Sequence, residues 1–157
     1  MRLLKLAPLF AACATIGGCL SSLPIDNSSA AGGADRTLGS VELHSAQFGQ
    51  AIIAPDTCRS GDRERFLGGD FVDTRSGLVV RLVFDPLDGA ALRIFASDAQ
   101  TEKSAVFRRG DCRTLKYDFA PTSWRVNDID DFRISMTFEC AAHGDAAKGT
   151  VSSTHCH

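Results

Sequence analysis

The chain has 157 residues, of which 17 are Lys or Arg and 19 are Asp or Glu, so its formal net charge at pH 7 is −2. A charge this balanced gives no support to nucleic acid or to an acidic surface as a partner. After a leader and a linker are set aside, about 120 residues remain, which is the size of one domain.

The first 19 residues have the layout of a secretory signal peptide. Arg2 and Lys5 supply positive charge, and an apolar run that begins at Leu3 reaches Ile16 before a group of small residues. The run is too short to span a bilayer, which takes roughly 20 apolar residues. The segment ends in Ile16-Gly17-Gly18-Cys19, which resembles the lipobox of bacterial lipoproteins.

The resemblance implies that residues 1–18 are cut off as a signal peptide, that Cys19 receives a diacylglycerol, and that the new terminus is acylated. Two or three acyl chains anchor a protein firmly in a membrane, since each buried methylene contributes about 0.8 kcal/mol. Leu20 stands after the cysteine where some families read an Asp, which implies the outer membrane. The alternatives are an ordinary signal peptide in which Cys19 plays no part, and a cut before Cys13, where the apolar run is shorter.

Residues 19–38 are predicted to be the lipidated cysteine and a flexible linker, because they are rich in Ser, Ala and Gly and carry no periodic apolar pattern. Residues 39–157 are predicted to form a single β domain, since turn residues recur about every ten positions. We expect an all-β fold, an antiparallel β-sandwich or flattened β-barrel of about seven to nine short strands. No segment has convincing helical periodicity.

The first two thirds of this domain give several short strands. Apolar runs predict strands at 41–44, 51–54, 66–72, 78–84, 91–96 and 103–109. Residues 58–64 are charged and are predicted to be a loop, and Gly68-Gly69 predicts a bulge or tight bend. Residues 78–84 are apolar on both faces apart from Arg81, so we expect a central strand with Arg81 reaching out to solvent.

The last third has the clearest alternation. Residues 115–119 alternate, and Pro121 then places this strand at a sheet edge or bends it. Residues 127–131 are predicted to be a turn, and 132–140 alternate without interruption, which predicts a strand with one wet face. Residues 141–148 are predicted to be a loop, followed by a final strand at 149–156.

Four cysteines remain after Cys13 and Cys19 are assigned to the leader and the lipid. An even number in an exported chain predicts two disulfides, made by Cys58, Cys112, Cys140 and Cys156. Sequence does not choose among the three possible connectivities. Pairing Cys112 with Cys140 would set Leu115 opposite Thr137 and so mix core with solvent, unless a bulge near Pro121 intervened. We therefore favour Cys58–Cys112 with Cys140–Cys156.

Two groups of side chains raise the possibility of a metal. His155-Cys156-His157, with His143 upstream, contains ligands of zinc or copper, but an oxidised Cys156 and a solvated tail account for it better. Asn127-Asp128-Ile129-Asp130-Asp131 contains calcium ligands, but Asn and Asp are also the residues of a plain hairpin turn. We therefore expect no resident metal or cofactor.

Other candidates are weaker. Asp70 with Asp73, or Asp128 with Asp131, could act as acid and base, and charged turns explain them as well. A basic patch is conceivable from Arg63, Arg65, Arg108, Arg109 and Arg113, although the solvated edge of a sheet is the favoured interpretation. Trp124 beside Arg125 has the composition of a recognition surface, and a half-buried core tryptophan is the competing interpretation.

These features favour a non-enzymatic lipoprotein of the bacterial envelope that presents a rigid β domain, in the periplasm or at the surface, to an envelope protein or glycan. The first alternative is a periplasmic inhibitor of a hydrolase such as lysozyme. The second is a metal-binding or hydrolytic enzyme of a type that the motifs do not reveal. Elemental analysis of the purified protein separates the metal-binding case from the others.

Overall fold

The computed structural model describes residues 37–85, 87, 89–97 and 103–157. These residues belong to one compact unit, Gly32–His157. The predicted signal peptide, Cys13, Cys19 and the linker as far as residue 36 lie outside the described residues. Within the described ranges, no helix has the length and apolar character needed to cross a membrane.

The described part of the chain holds ten strands and two short 3₁₀ turns. The strands are β1 Gly39–Ser45, β2 Gly49–Ile53, β3 Thr57–Ser60, β4 Gly68–Asp73, β5 Leu78–Asp85, β6 Gly89–Ala96, β7 Ser104–Arg108, β8 Cys112–Val126, β9 Ile129–Ala142 and β10 Asp145–Cys156. The 3₁₀ turns are Gly61–Glu64, after β3, and Arg109–Asp111, before β8.

The strands form two five-stranded antiparallel sheets. The order is β2-β1-β10-β9-β8 in one sheet and β3-β4-β5-β6-β7 in the other. The predicted all-β antiparallel sandwich with two disulfides is therefore confirmed, with ten strands in the described residues where about seven to nine were expected.

The core lies between the sheets and follows from the alternation of the long strands. On β9, Ile134, Met136 and Phe138 are buried, as the alternation of 132–140 predicts. On β5, which is the central strand of its sheet, Val80 and Leu82 are fully buried. Facing side chains from β1, β6, β7 and β10 complete this core.

Several local predictions are wrong. Residues 58–64 are not one loop, because the first three belong to β3, Thr57–Ser60. The predicted loop at 141–148 is a tight turn at His143-Gly144 between the ends of β9 and β10. At Gly68-Gly69 the β4–β5 ladder runs without a register shift. A Cβ on Gly69 would overlap Cδ1 of Ile134, so this glycine admits the close approach of the other sheet.

The favoured disulfide connectivity is also wrong. The bonds are Cys58–Cys156, which joins the two sheets, and Cys112–Cys140, which joins β8 to β9. A register shift after Cys112 leaves Arg113 as an extra residue, so Leu115 pairs with Phe138 rather than with Thr137. The bulge that resolves the conflict of faces lies at Arg113, near the start of β8, rather than near Pro121.

Candidate functional site: the β8–β9 hairpin and its buried aspartate

The end of the β8–β9 hairpin extends past the rest of its sheet. β10 pairs with β9 as far as Phe132, opposite Cys156. Beyond that point β9 pairs with β8 alone, through Arg125 with Asp130 and Val126 with Ile129. An isolated two-stranded ribbon is at best marginally stable in water, so this end of the hairpin needs other contacts to hold it.

We call residues 123–128 the hairpin tip, and every one of them is exposed. Trp124 is 61% exposed, although a tryptophan of a monomeric core is normally mostly covered. The interpretation of Trp124 as a half-buried core residue is therefore wrong. Arg125 and Val126 lie beside it on the same open segment.

The turn itself is well defined by its sequence. Asn127 and Asp128 both have positive φ, 52° and 64°. Two consecutive positive-φ residues are the signature of a type I′ hairpin turn, whose twist matches that of the strands. Asn and Asp tolerate this conformation better than other residues with a Cβ, so the tip has one defined backbone path.

A buried carboxylate braces the base of the tip. Asp131 is 1% exposed, and its Oδ2 accepts a hydrogen bond from the Thr122 hydroxyl at 2.7 Å. The same oxygen lies 2.7 Å from Nδ1 of His155, the next-to-last residue of β10. The contacts join β8, β9 and the end of β10 at one point, where the ladder between β8 and β9 is irregular.

The other oxygen of Asp131 is buried and has no hydrogen-bond partner among the described residues. Nδ1 of His157 lies 3.6 Å from this oxygen, which is too far for a hydrogen bond. The brace therefore depends on the single oxygen that Thr122 and His155 share.

Further contacts stiffen the tip. Arg125 forms an ion pair with Asp130 at 2.8 Å and donates to the carbonyl of Asp128 at 3.1 Å. The backbone N–H of Trp124 donates to the Thr122 hydroxyl at 3.1 Å. The Asp130 N–H donates to a carboxylate oxygen of Asp62, on the first 3₁₀ turn. The Trp124 ring meets the His155 ring edge-on, with centroids 5.8 Å apart.

The histidines proposed as metal ligands are divided by the fold. Cys156 is oxidised in its bond to Cys58, which removes a thiolate from the candidate set. His143 lies in the β9–β10 turn, at the opposite end of β10 from His155, a separation of about 35 Å for a strand of this length. Among the described residues no group of three or more His, Cys, Asp or Glu side chains is placed to hold a metal ion.

The candidate calcium ligands are also divided. Asp130 is paired with Arg125, and Asp131 turns inward to Thr122 and His155. Asn127 and Asp128 form the turn. The plain hairpin interpretation of this segment accounts for all four side chains.

Asp70 and Asp73 do not form an acid–base pair. They are three positions apart on β4 and so point to opposite faces. Burial raises the pKa of Asp70, against the effect of the Arg81 guanidinium, which it binds at 2.7 Å. Burial would raise the pKa of Asp73 too, but backbone N–H groups, first that of Ala54, outweigh it and hold that pKa below its usual value.

Arg81 does not reach solvent as expected. Its guanidinium is held between Asp70 and Glu64 and lies over the ring of Phe66, with Cζ 4.3 Å from the ring centroid. The five arginines proposed as a basic patch are all exposed. They are divided between the surroundings of the two 3₁₀ turns, with Arg113 paired to Glu139 at 3.5 Å.

A recess of about 240 Å³ lies on the outer face of the β1–β10–β9 sheet. It is smaller than most small-molecule sites. The charges at its rim pair with one another, Lys148 with Glu42 at 3.0 Å and Arg113 with Glu139. The hairpin tip is the stronger candidate, because it combines large exposed side chains with a fixed backbone.

Sequence reasoning singled out Trp124 and Arg125 but missed the brace. Asp131 and His155 are 24 positions apart, and they meet because β10 ends beside the base of the tip. In the sequence, Asp131 ends the predicted turn at 127–131, directly before the alternating residues 132–140, and nothing in that pattern indicates that it is buried.

Comparison with protein-family models, with curated proteins and with solved structures finds no match for this chain. Any functional conclusion therefore rests on the hairpin and on the resemblance of the first 19 residues to a lipoprotein leader.

Proposed function

We propose that this protein is a non-enzymatic, lipid-anchored protein of the bacterial envelope that binds another envelope protein through the hairpin tip. The observation that carries the binding function is the exposure of Trp124 on a braced backbone. Trp and Arg dominate binding hot spots, and here they are adjacent. Trp124 is 61% exposed, and the side chain of Arg125 is 63% exposed. The lipobox at Ile16-Gly17-Gly18-Cys19 supports the anchor.

Preorganisation is what makes the tip suited to binding. Ordering a loop on association costs free energy, so a segment already held in one conformation binds more tightly with the same contacts. The type I′ turn and the contacts of Asp131, Arg125 and Asp130 hold the tip before any partner arrives. A partner needs an apolar pocket for the indole of Trp124 and an acceptor for the guanidinium of Arg125.

A photo-crosslinking experiment in intact cells tests the binding site. A photoreactive residue replaces exposed Ser123, the residue before Trp124 in the hairpin tip. The control position is Ile52, which is 73% exposed on the edge strand β2. We expect one defined protein adduct from position 123, which Trp124→Ala removes, and no such adduct from position 52. Equal adducts at both positions, or an adduct that survives Trp124→Ala, would contradict the proposal. An adduct with a glycan would show that the partner is a glycan and not a protein.

The anchor is tested separately. Mass spectrometry of the chain taken from membranes should find Cys19 as the acylated first residue, and Cys19→Ala should release the domain from the membrane fraction. A chain that carries an unmodified thiol at that position would refute the anchor while leaving the binding tip untouched.

A second candidate is an inhibitor of a hydrolase, because a rigid convex tip has the shape that fills an enzyme cleft. Its test is stoichiometric inhibition of lysozyme by the purified chain, lost on Trp124→Ala and retained in Ile52→Ala. Full lysozyme activity in the presence of excess protein would remove lysozyme as the target.

A further inference from the structure

The first half of β8 offers a second surface, away from the hairpin tip. β8 is the last strand of its sheet, and no strand among those the structure describes pairs with its outer side. Its regular stretch runs from Thr114 to Pro121, between two register shifts. Within it, Lys116, Tyr117 and Asp118 are all exposed.

The backbone of this stretch is available for pairing. The carbonyl of Leu115 accepts a hydrogen bond from the Arg109 guanidinium at 2.9 Å, so this carbonyl points away from β9. Since backbone groups alternate sides along a strand, the N–H and C=O of Tyr117 and Phe119 point the same way. A carbonyl oxygen accepts two hydrogen bonds, so Arg109 need not leave Leu115 for a strand to pair there.

We propose that two copies of this chain associate by antiparallel pairing of β8 with β8 about a two-fold axis at Tyr117. This register sets Tyr117 opposite the partner's Tyr117, where the two residues exchange backbone hydrogen bonds. Lys116 then lies directly opposite the partner's Asp118 on the solvent face, and the symmetry repeats the pair. On the other face, Leu115 lies opposite the partner's Phe119.

Charge selects this register and this partner. A lysine on an exposed edge normally deters strand pairing, because a foreign strand offers it no matched charge. Centring the axis on Lys116 would oppose two lysines, and centring it on Asp118 would oppose two aspartates. Of these three registers, the one centred on Tyr117 places opposite charges across from each other. Cross-strand pairs of opposite charge stabilise a sheet, whereas pairs of equal charge destabilise it.

The apolar side of the edge supports the same arrangement. Tyr117 is 41% exposed, and its ring packs against Phe84 of β5, with centroids 4.9 Å apart. Phe119 lies beside it against the same ring. Association would cover this aromatic edge, which a lone copy leaves partly in water.

Charge reversal tests the proposal. Sedimentation equilibrium of the full chain, in detergent matched in density to the solvent, should give a dimer. Lys116→Asp and Asp118→Lys should each raise the dissociation constant by at least about tenfold, since each opposes like charges twice. An equimolar mixture of the two single variants, and the double variant K116D/D118K, should dimerise again because unlike charges face each other once more.

The control is Arg133→Ala, which removes the ion pair of Arg133 with Asp118 at 3.0 Å inside one chain and should leave the dimer intact. Circular dichroism should show that every variant is folded. A monomeric wild-type chain would overturn the proposal, and so would a dimer that ignores the single reversals or is not restored by the swap. The tip crosslink at position 123 is independent of this result.

Discussion

Thr122→Val should release the hairpin tip. Valine keeps the branched shape of threonine and its preference for strands but removes the hydroxyl that joins Asp131 to the backbone N–H of Trp124. Thr122→Ser is the matched variant, since it keeps the hydroxyl and loses the methyl group. The pair therefore isolates the hydrogen bonds from the packing of the side chain.

The expected magnitude follows from the contacts. A hydrogen bond to a charged group contributes about 1.5–3 kcal/mol, and Thr122 is half-buried, which places its bond to Asp131 toward the lower end. After the change, the buried carboxylate of Asp131 keeps His155 as a partner, while its other oxygen has none among the described residues. We expect a loss of about 2 kcal/mol, which makes local opening of the tip about 30-fold more frequent.

Hydrogen exchange measured by mass spectrometry locates the loss. Amides in 123–131 should exchange about 30-fold faster in Thr122→Val than in Thr122→Ser, while amides of β5, the central strand, should keep their rates. Trp124 is the one tryptophan of the chain, so its fluorescence anisotropy reports the same loosening directly. Equal exchange in the valine and serine variants would refute the brace.

The remaining predictions concern the disulfides and an internal acid. Peptide mapping of the oxidised chain should find Cys58–Cys156 and Cys112–Cys140, and peptides joining Cys58 to Cys112 would overturn this pairing. Replacing the first pair by alanines should lower the free energy of unfolding in urea by up to about 4.7 kcal/mol, and replacing the second by about 3.6 kcal/mol, because the pairs are 98 and 28 residues apart. Because the folded pKa of Asp73 lies below the ordinary 3.8, its stabilisation is complete above about pH 4 and is lost as the pH falls through the folded pKa. Asp73→Asn should therefore lower the free energy of unfolding in urea by about 1–3 kcal/mol at pH 7 and by less at pH 3. An equal loss of unfolding free energy at the two pH values would contradict this.

Periodicity and composition were sufficient to predict the fold class and the strands whose evidence is local. The alternation of 132–140 and the apolar run of 78–84 identify β9 and β5, because side chains of a strand point to alternate faces and one face meets the core. Pro121 correctly places its strand at an edge, since proline cannot donate a hydrogen bond to a second neighbour. The resemblance of residues 16–19 to a lipobox is likewise a local pattern, so this prediction can be made without the fold.

Features that depend on strand register could be known only from the folded structure. One extra residue, Arg113, turns an apparent conflict of faces into the Cys112–Cys140 pair, and no local pattern marks such a bulge. Asp131 and His155 meet because β10 ends beside the base of the tip, and this sets the position of Trp124. Periodicity records which face a residue occupies, whereas contacts across strands depend on how far each strand slides along its neighbour, and that is settled by the whole core packing at once.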